Sequence, residues 1–144
     1  MIISFSKGKL PAGINGKYNF VDVRDVCSAT INAAFSSISQ ECFLLTGKEI
    51  SVSEFFDMLH SITGKAKPRF NSPYYIALII APVFELISKI SKEPPMFTYY
   101  SVKTLHSNCS FDNSKAKETI ALHIRPVKET INDTYAWFRD KGYL

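Results

Sequence analysis

The stretch Tyr18-Asn19-Phe20-Val21-Asp22-Val23-Arg24-Asp25-Val26-Cys27-Ser28 constrains this chain more than any other. Tyr18, Phe20, Val21 and Val23 are aromatic or β-branched, types that pack well on a pleated surface, and they predict a strand. Asp22 can accept a backbone N–H as a helix N-cap, and Asp25, three residues on, stands where a capping box places its acid. Both acids would lie at the positive end of the helix dipole, favourable by about 0.3–1 kcal/mol each. A strand that hands over to a helix within a residue or two belongs to α/β architecture, where strands and crossover helices alternate. Two carboxylates at a sheet end also invite a catalytic reading. Capping accounts for both, and we read them as structural, with Arg24 a surface or dipole-end charge.

The helix from Asp25 carries Val26, Ala29, Thr30, Ala33, Ala34 and Phe35 at three- and four-residue spacings, and Ser36 to Ser39 end it. Cys42-Phe43-Leu44-Leu45-Thr46, closed by Gly47, reads as a strand buried on both faces. Ser51 or Ser53 caps a second helix, with Phe55, Leu59 and Ile62 on its core face and Gly64 as terminator. Arg69-Phe70 suits a short strand. Tyr74 to Ile90 predicts a helix, interrupted at Pro82, whose apolar stripe is broader than one side and whose first half is a buried or surface-groove segment.

At the N-terminus, Ile2 to Phe5 fits a helix end or a strand. Lys7 to Gly13, and then Gly13, Asn15 and Gly16, mark two turns looping over one end of a sheet. Glu93 to Met96 is a stiff connector, Phe97 to Leu105 holds a short helix, and Cys109 to Asp112 is extended. A small helix starts at Asn113. The last helix begins near Pro126 or Val127, with Ile131, Thr134, Tyr135 and Phe138 on one stripe and Trp137 beside it, partly buried.

Composition narrows the function. The chain's 144 residues suit one domain that buries about two-thirds of its unfolded surface. Net charge is +4, and only Lys65, Lys67 and Arg69 loosely cluster, which argues against a nucleic-acid interface. Cys27, Cys42 and Cys109 form no Cys-x-x-Cys pair and do not group with His60, His106 or His123, so neither a zinc site nor a disulfide framework is expected. Cys27 and Cys42 read as buried packing residues. The cysteine usage fits a reducing cytoplasm. The longest uncharged apolar run, Tyr74 to Phe84, is too short to span a bilayer, and Met1 to Phe5 is too short for a signal peptide's apolar core.

Phe20-Val21-Asp22-Val23-Arg24-Asp25-Val26 resembles the strand-to-helix segment of extended short-chain dehydrogenase/reductases, in the dihydroflavonol reductase-like, NAD-dependent epimerase/dehydratase branch. Further pieces match in order: Lys7-Gly8-Lys9-Leu10-Pro11, Glu41 to Gly47, Ser53 to Lys65, Pro95-Met96-Phe97-Thr98-Tyr99-Tyr100-Ser101 to Asn108, and Ser114-Lys115-Ala116 through Arg125-Pro126 and Asp133-Thr134 to Trp137-Phe138. Thr119-Ile120 depart from the family's usual Leu-Gly, so the helix end there is expected to be shaped differently.

The resemblance implies an α/β fold: part of an NAD(P)-binding Rossmann-fold protein, with late sheet strands in residues 18–64 and a mainly helical substrate-side lobe in 65–144, so that 1–144 is one C-terminal fragment. It implies NAD(P) for a complete enzyme. In this chain none of Gly8, Gly13, Gly16, Gly47, Gly64 or Gly142 forms the Gly-rich turn that seats a pyrophosphate on a helix N-terminus. A Tyr-x-x-x-Lys match exists at Tyr99–Lys103. The family's catalytic pair precedes the Tyr18–Val23 strand, so we assign this match no catalytic role, and no catalytic, cofactor or metal residue is expected.

Tyr18 stands roughly where sugar-nucleotide epimerases resemble one another in placing an Arg for a diphosphate. Without that charge the resemblance implies a small, apolar carbonyl or hydroxyl compound, with Tyr18 and Phe20 lining its cleft. The expected partners are that substrate together with a complementing N-terminal half, and self-association through an exposed sheet edge. The other reading is a non-catalytic binding module, or a degenerate remnant, that uses the apolar helix at 74–84.

Overall fold

In the computed structural model the described residues are 1–10, 12–68, 70–91 and 98–144. Among them the order is α1 (Ile2–Ser6), β1 (Ala12–Ile14), β2 (Lys17–Phe20), α2 (Val23–Ala34), β3 (Lys48–Ser51), α3 (Val52–Thr63), β4 (Phe70–Ser72), α4 (Tyr74–Ser91), α5 (Tyr99–Leu105), α6 (Ser114–Ile120) and α7 (Val127–Asp140). Arg69, Phe97 and the connector at Glu93 to Met96 lie outside the described residues. The chain divides into two units, Met1–Tyr18 with Ser51–Asn108, and Asn19–Ile50 with Cys109–Leu144. β1 pairs with β4, and β2 with β3.

In the first unit, α3 forms as its sequence demands. Ser51 Oγ accepts the Glu54 N–H at 3.1 Å, and the Glu54 carboxylate accepts the Ser51 N–H at 2.7 Å, a complete capping box. Gly64, at φ 68°, closes the helix in the left-handed conformation that costs glycine little. Phe55, Phe56 and Leu59 are buried, and Phe5 of α1 stacks on Phe56 with centroids 5.6 Å apart. Residues 12–14 are a strand, where the sequence had suggested a loop between turns. β1 runs parallel to β4 with Ala12 opposite Phe70 and Ile14 opposite Ser72. Its three residues are too few to display a period-two pattern, and Gly13 disguises them as a turn.

α4 buries its small residues. Ala77 and Ala81 are inside, at 8 % and 1 % exposure, while Ile76, Ile79, Val83 and Leu86 are 50–75 % exposed. α5 lies against α4, and short side chains permit that close approach. Pro82 sits within α4 without an N–H to donate to the Leu78 carbonyl.

In the second unit, α2 packs against α6 around Ala29, Ala116, Ile120 and Leu122. The strand expected over 42–46 does not form. Phe43 and Leu45 pack on this cluster, whereas Leu44 is 58 % exposed and Cys42 is exposed. A strand buried on both faces needs a layer on each, and here the α2–α6 cluster covers one side only. Cys27 is also exposed, on the outer face of α2, so neither cysteine is the packing residue expected; Cys109 is buried instead. Phe35 falls beyond the last turn of α2 and is 89 % exposed, outside the stripe assigned to it.

Candidate functional site

The sequence feature with the densest chemistry is the start of α2, and the structure spends that chemistry on holding the second unit together. β2 ends at Phe20, earlier than the strand predicted through Val23, and Asp22 caps α2 with extended φ and ψ of −77° and 135°. Its Oδ1 accepts the Arg24 backbone N–H at 2.8 Å. The Arg24 guanidinium reaches back to both carboxylate oxygens at 3.0 and 2.8 Å, and the Thr130 hydroxyl donates to Oδ2 at 2.7 Å. The side-chain hydrogen bond from Arg24 holds the Asp22 carboxyl well below the ordinary carboxylate range, outweighing burial.

Asp25 departs from its expected place in a capping box. Its carboxylate turns to residue 125 and accepts three donors there: the backbone N–H at 2.9 Å, Nε at 2.8 Å and Nη2 at 2.7 Å. Burial pushes this carboxyl up, the Arg125 side-chain and backbone hydrogen bonds pull it down, and the balance lies below its ordinary value. Arg24, read as a surface charge, also pairs with Asp133 of α7 at 2.8 Å. A cleft of about 280 Å³ opens here beside Val23, Thr134 and Trp137. Asp22 and Asp25 are both engaged by arginines and bound below their usual pKa, so neither is poised as a general acid or base near neutral pH.

The same geometry bears on a dinucleotide. Such a cofactor needs free N–H groups at a helix N-terminus to meet its pyrophosphate. Two of the three strand-to-helix passages among the described residues, β2 into α2 and β3 into α3, are capped by Asp22 and by the Ser51–Glu54 pair, each bringing a carboxylate to that end. The described residues do not fit a dinucleotide at either place.

Tyr18 and Phe20 lie two apart on β2, hence on one face, and both are half-buried. Asn19 between them points the other way, and its importance went unread in the sequence. Its side-chain carbonyl accepts the Gly47 N–H at 2.7 Å and its amide donates to the Cys109 carbonyl at 3.2 Å. Asn113 likewise donates to the Thr46 carbonyl at 2.6 Å. Side-chain amides thus bind the backbone at 46–47. An asparagine set among aromatic and β-branched strand residues was the available signal. Tyr99 and Lys103 both sit on α5; the Tyr99 backbone N–H donates to the Glu85 carboxylate at 2.7 Å. Among the described residues no three His, Cys, Asp or Glu side chains gather as a metal site, and no helix is long and apolar enough to cross a membrane.

No family model matches the chain. It is 27 % identical over 145 residues to sterol demethylase protein B of Methylococcus capsulatus, aligning across 99 % of its own length and 44 % of that protein's. It is 26 % identical over 148 residues to a Synechocystis protein named for dihydroflavonol 4-reductase, covering 43 % of it. Among solved structures it matches gox2253 with a TM-score of 0.77 at 26 % identity, across the whole chain and 44 % of that one. A nucleoside-diphosphate-sugar epimerase from Pseudomonas aeruginosa matches in fold, with a TM-score of 0.74 at 19 % identity over 42 % of its length. The fold is a mixed α/β one of Rossmann-type proteins, in their C-terminal part. The chain is similar along its whole length to a protein named as a reductase and, in fold, to one named as an epimerase, and it spans under half the length of the curated relatives it matches.

Proposed function

We propose that this chain is the substrate-side portion of an NAD(P)-dependent reductase or epimerase, acting on a carbonyl or hydroxyl group of a small apolar compound, and that it neither binds the cofactor nor transfers hydride by itself. The observation that carries the second half of this reading is the acid-capped start of both α2 and α3, which leaves no place there for a pyrophosphate. Residues 18–64 then correspond to late sheet strands and their helices, and 65–144 to the substrate lobe. Tyr18 and Phe20, sharing one face of β2 while Asn19 anchors the other, line the substrate cleft.

The apolar substrate is supported by the absence of a basic side chain at position 18 and by the name of the Methylococcus relative, a sterol demethylase protein. A complementing N-terminal half, a cytoplasmic setting and self-association belong to the same proposal. The exposed apolar row on α4 favours a second reading, a non-catalytic interaction module. Calorimetric titration of the chain with NADH and NADPH tests the first. No saturable heat up to millimolar cofactor is expected, and tight binding of either would overturn it. Reading the coding sequence upstream separates the two: a frame carrying a Gly-rich turn and a Tyr-x-x-x-Lys pair supports the enzyme, and unrelated sequence supports the module.

A further inference from the structure

A cleft in the first unit measures about 620 Å³, within the size range of small-molecule sites. It lies where the start of α3, the start of α4 and the end of α5 meet, and neither Tyr18 nor Phe20 lines it. Pro73 and Leu105 give it apolar walls. Tyr74 and His106 line it as a stacked pair, centroids 4.2 Å apart and planes 20° from parallel, and Tyr75 packs T-shaped against Tyr74 at 5.3 Å. Three rings in contact hold one another's orientation, so the wall is formed before any ligand arrives. Ser53, Ser107 and Asn15 bring hydroxyl and amide groups to the lining and Lys17 brings a cation, and the lining includes no carboxylate.

Gly16 fixes the remaining side. A Cβ built there would meet Leu105 Cβ at 2.6 Å and its carbonyl oxygen at 2.7 Å, so the end of α5 sits directly on the Gly16 backbone. The cleft is therefore bounded by backbone contact on one side and an aromatic array on another.

We propose that this cleft binds a flat aromatic compound bearing a hydroxyl or carbonyl group, its ring extending the Tyr75–Tyr74–His106 array and its oxygen exchanging hydrogen bonds with the polar side chains of the lining. A ring adds to such an array through the same offset-stacked and edge-to-face preferences that order the three rings already present. An aliphatic chain would fill the volume without using the array. All the residues that line it lie in the first unit, Met1–Tyr18 with Ser51–Asn108, and binding there calls on neither Tyr18 nor Phe20 nor a cofactor.

The test is titration of 2-naphthol into the isotopically labelled full chain, followed by amide chemical shifts. Saturable shifts concentrated at Gly16, Ser53, Tyr74 and His106 are expected. Tyr74→Leu keeps apolar bulk and removes the ring, and should weaken binding about fivefold, in line with the worth of an aromatic pair. His106→Ala, at an exposed position, tests the same array without threatening the fold and should weaken binding by a similar factor. Ile79→Ser, on the outer row of α4, should leave it unchanged. Shifts centred on residues 76–87, equal affinity in the parent and His106→Ala chains, or no saturable shift at the solubility limit of the probe would each overturn the proposal.

Discussion

Asp25 and Arg125 form an unequal pair. The Asp25 side chain is 2 % exposed and that of Arg125 is 22 % exposed, so the two truncations differ in what they leave behind. Arg125→Ala strands a buried carboxylate, destabilising by about 3 kcal/mol, whereas Asp25→Ala leaves a guanidinium that can still reach water and Glu129. Urea unfolding should rank Arg125→Ala as the less stable variant, and the reverse order would show that Asp25 is hydrated. The pH dependence has a defined sign. Asp22 and Asp25 both titrate lower folded than unfolded, so the folded state holds fewer protons. Their stabilisation is complete above the ordinary carboxylate range near about 4 and is lost as pH falls toward the folded values. Urea midpoints should therefore drop between about pH 4 and 2, less steeply in Asp22→Asn than in the parent. A second residue-scale test lies at the end of α6, where Ala121 is exposed and holds φ 53° and ψ 45°. This is the helix end at which Thr119-Ile120 replace the family's Leu-Gly. Ile120 is buried in the core, and the left-handed turn falls to an alanine. Relief of that strain exceeds the entropic cost of glycine, so Ala121→Gly should stabilise by about 0.5–1 kcal/mol, read as a raised urea midpoint.

Elements whose boundaries are set by their own side chains were legible in the sequence. α3 carries its capping box and its terminal glycine within fourteen consecutive residues, Ser51 to Gly64, and α7 starts after Pro126 as expected. The run at 42–46 was not legible, because its shape depends on distant partners. The same apolar string can be a doubly buried strand or a one-sided packing segment, and only the arrangement of α2 and α6 decides. The cap at Asp22 could be read locally. The partner of Asp25 could not, since Arg125 lies a hundred residues away. Gly47 shows the same limit. It reads as the stop after a strand, yet its role is steric: a Cβ there would lie 1.8 Å from the Phe20 carbonyl oxygen, a backbone atom that cannot swing aside. Gly47→Ala should force 46–47 away from β2 and break the Asn19 hydrogen bonds at 2.7 and 3.5 Å. The expected loss is about 3 kcal/mol or more, from strain added to unpaired buried groups, measured as a shifted denaturation midpoint. A midpoint within experimental error of the parent would mean that the two backbone segments separate without cost.

For the whole molecule, the question is what happens to apolar surface that neither unit covers. The sequence reading placed self-association at a sheet edge. The strands observed, three to four residues each, offer few unpaired backbone groups to template pairing. α4 offers more. Tyr75, Ile79, Val83 and Leu86 follow one another at helical spacing, with Ile76, Ile80 and Ile87 beside them, and all are exposed. Such a row spans roughly 18 Å of helix, long enough to pair with its counterpart on a second chain. In this chain the row meets water. Sedimentation velocity across a wide concentration range should show a weight-average mass that rises with concentration. Ile79→Lys combined with Val83→Lys should return the chain to monomer while leaving its helical circular dichroism intact, because both side chains point outward and Ala77 and Ala81 supply the packing. If the double variant still associates, Leu44, exposed on the outer side of the 42–46 run, becomes the contact, and Leu44→Lys is then the variant that should abolish it. A parent chain that stays monomeric throughout would show that both apolar surfaces are tolerated in water.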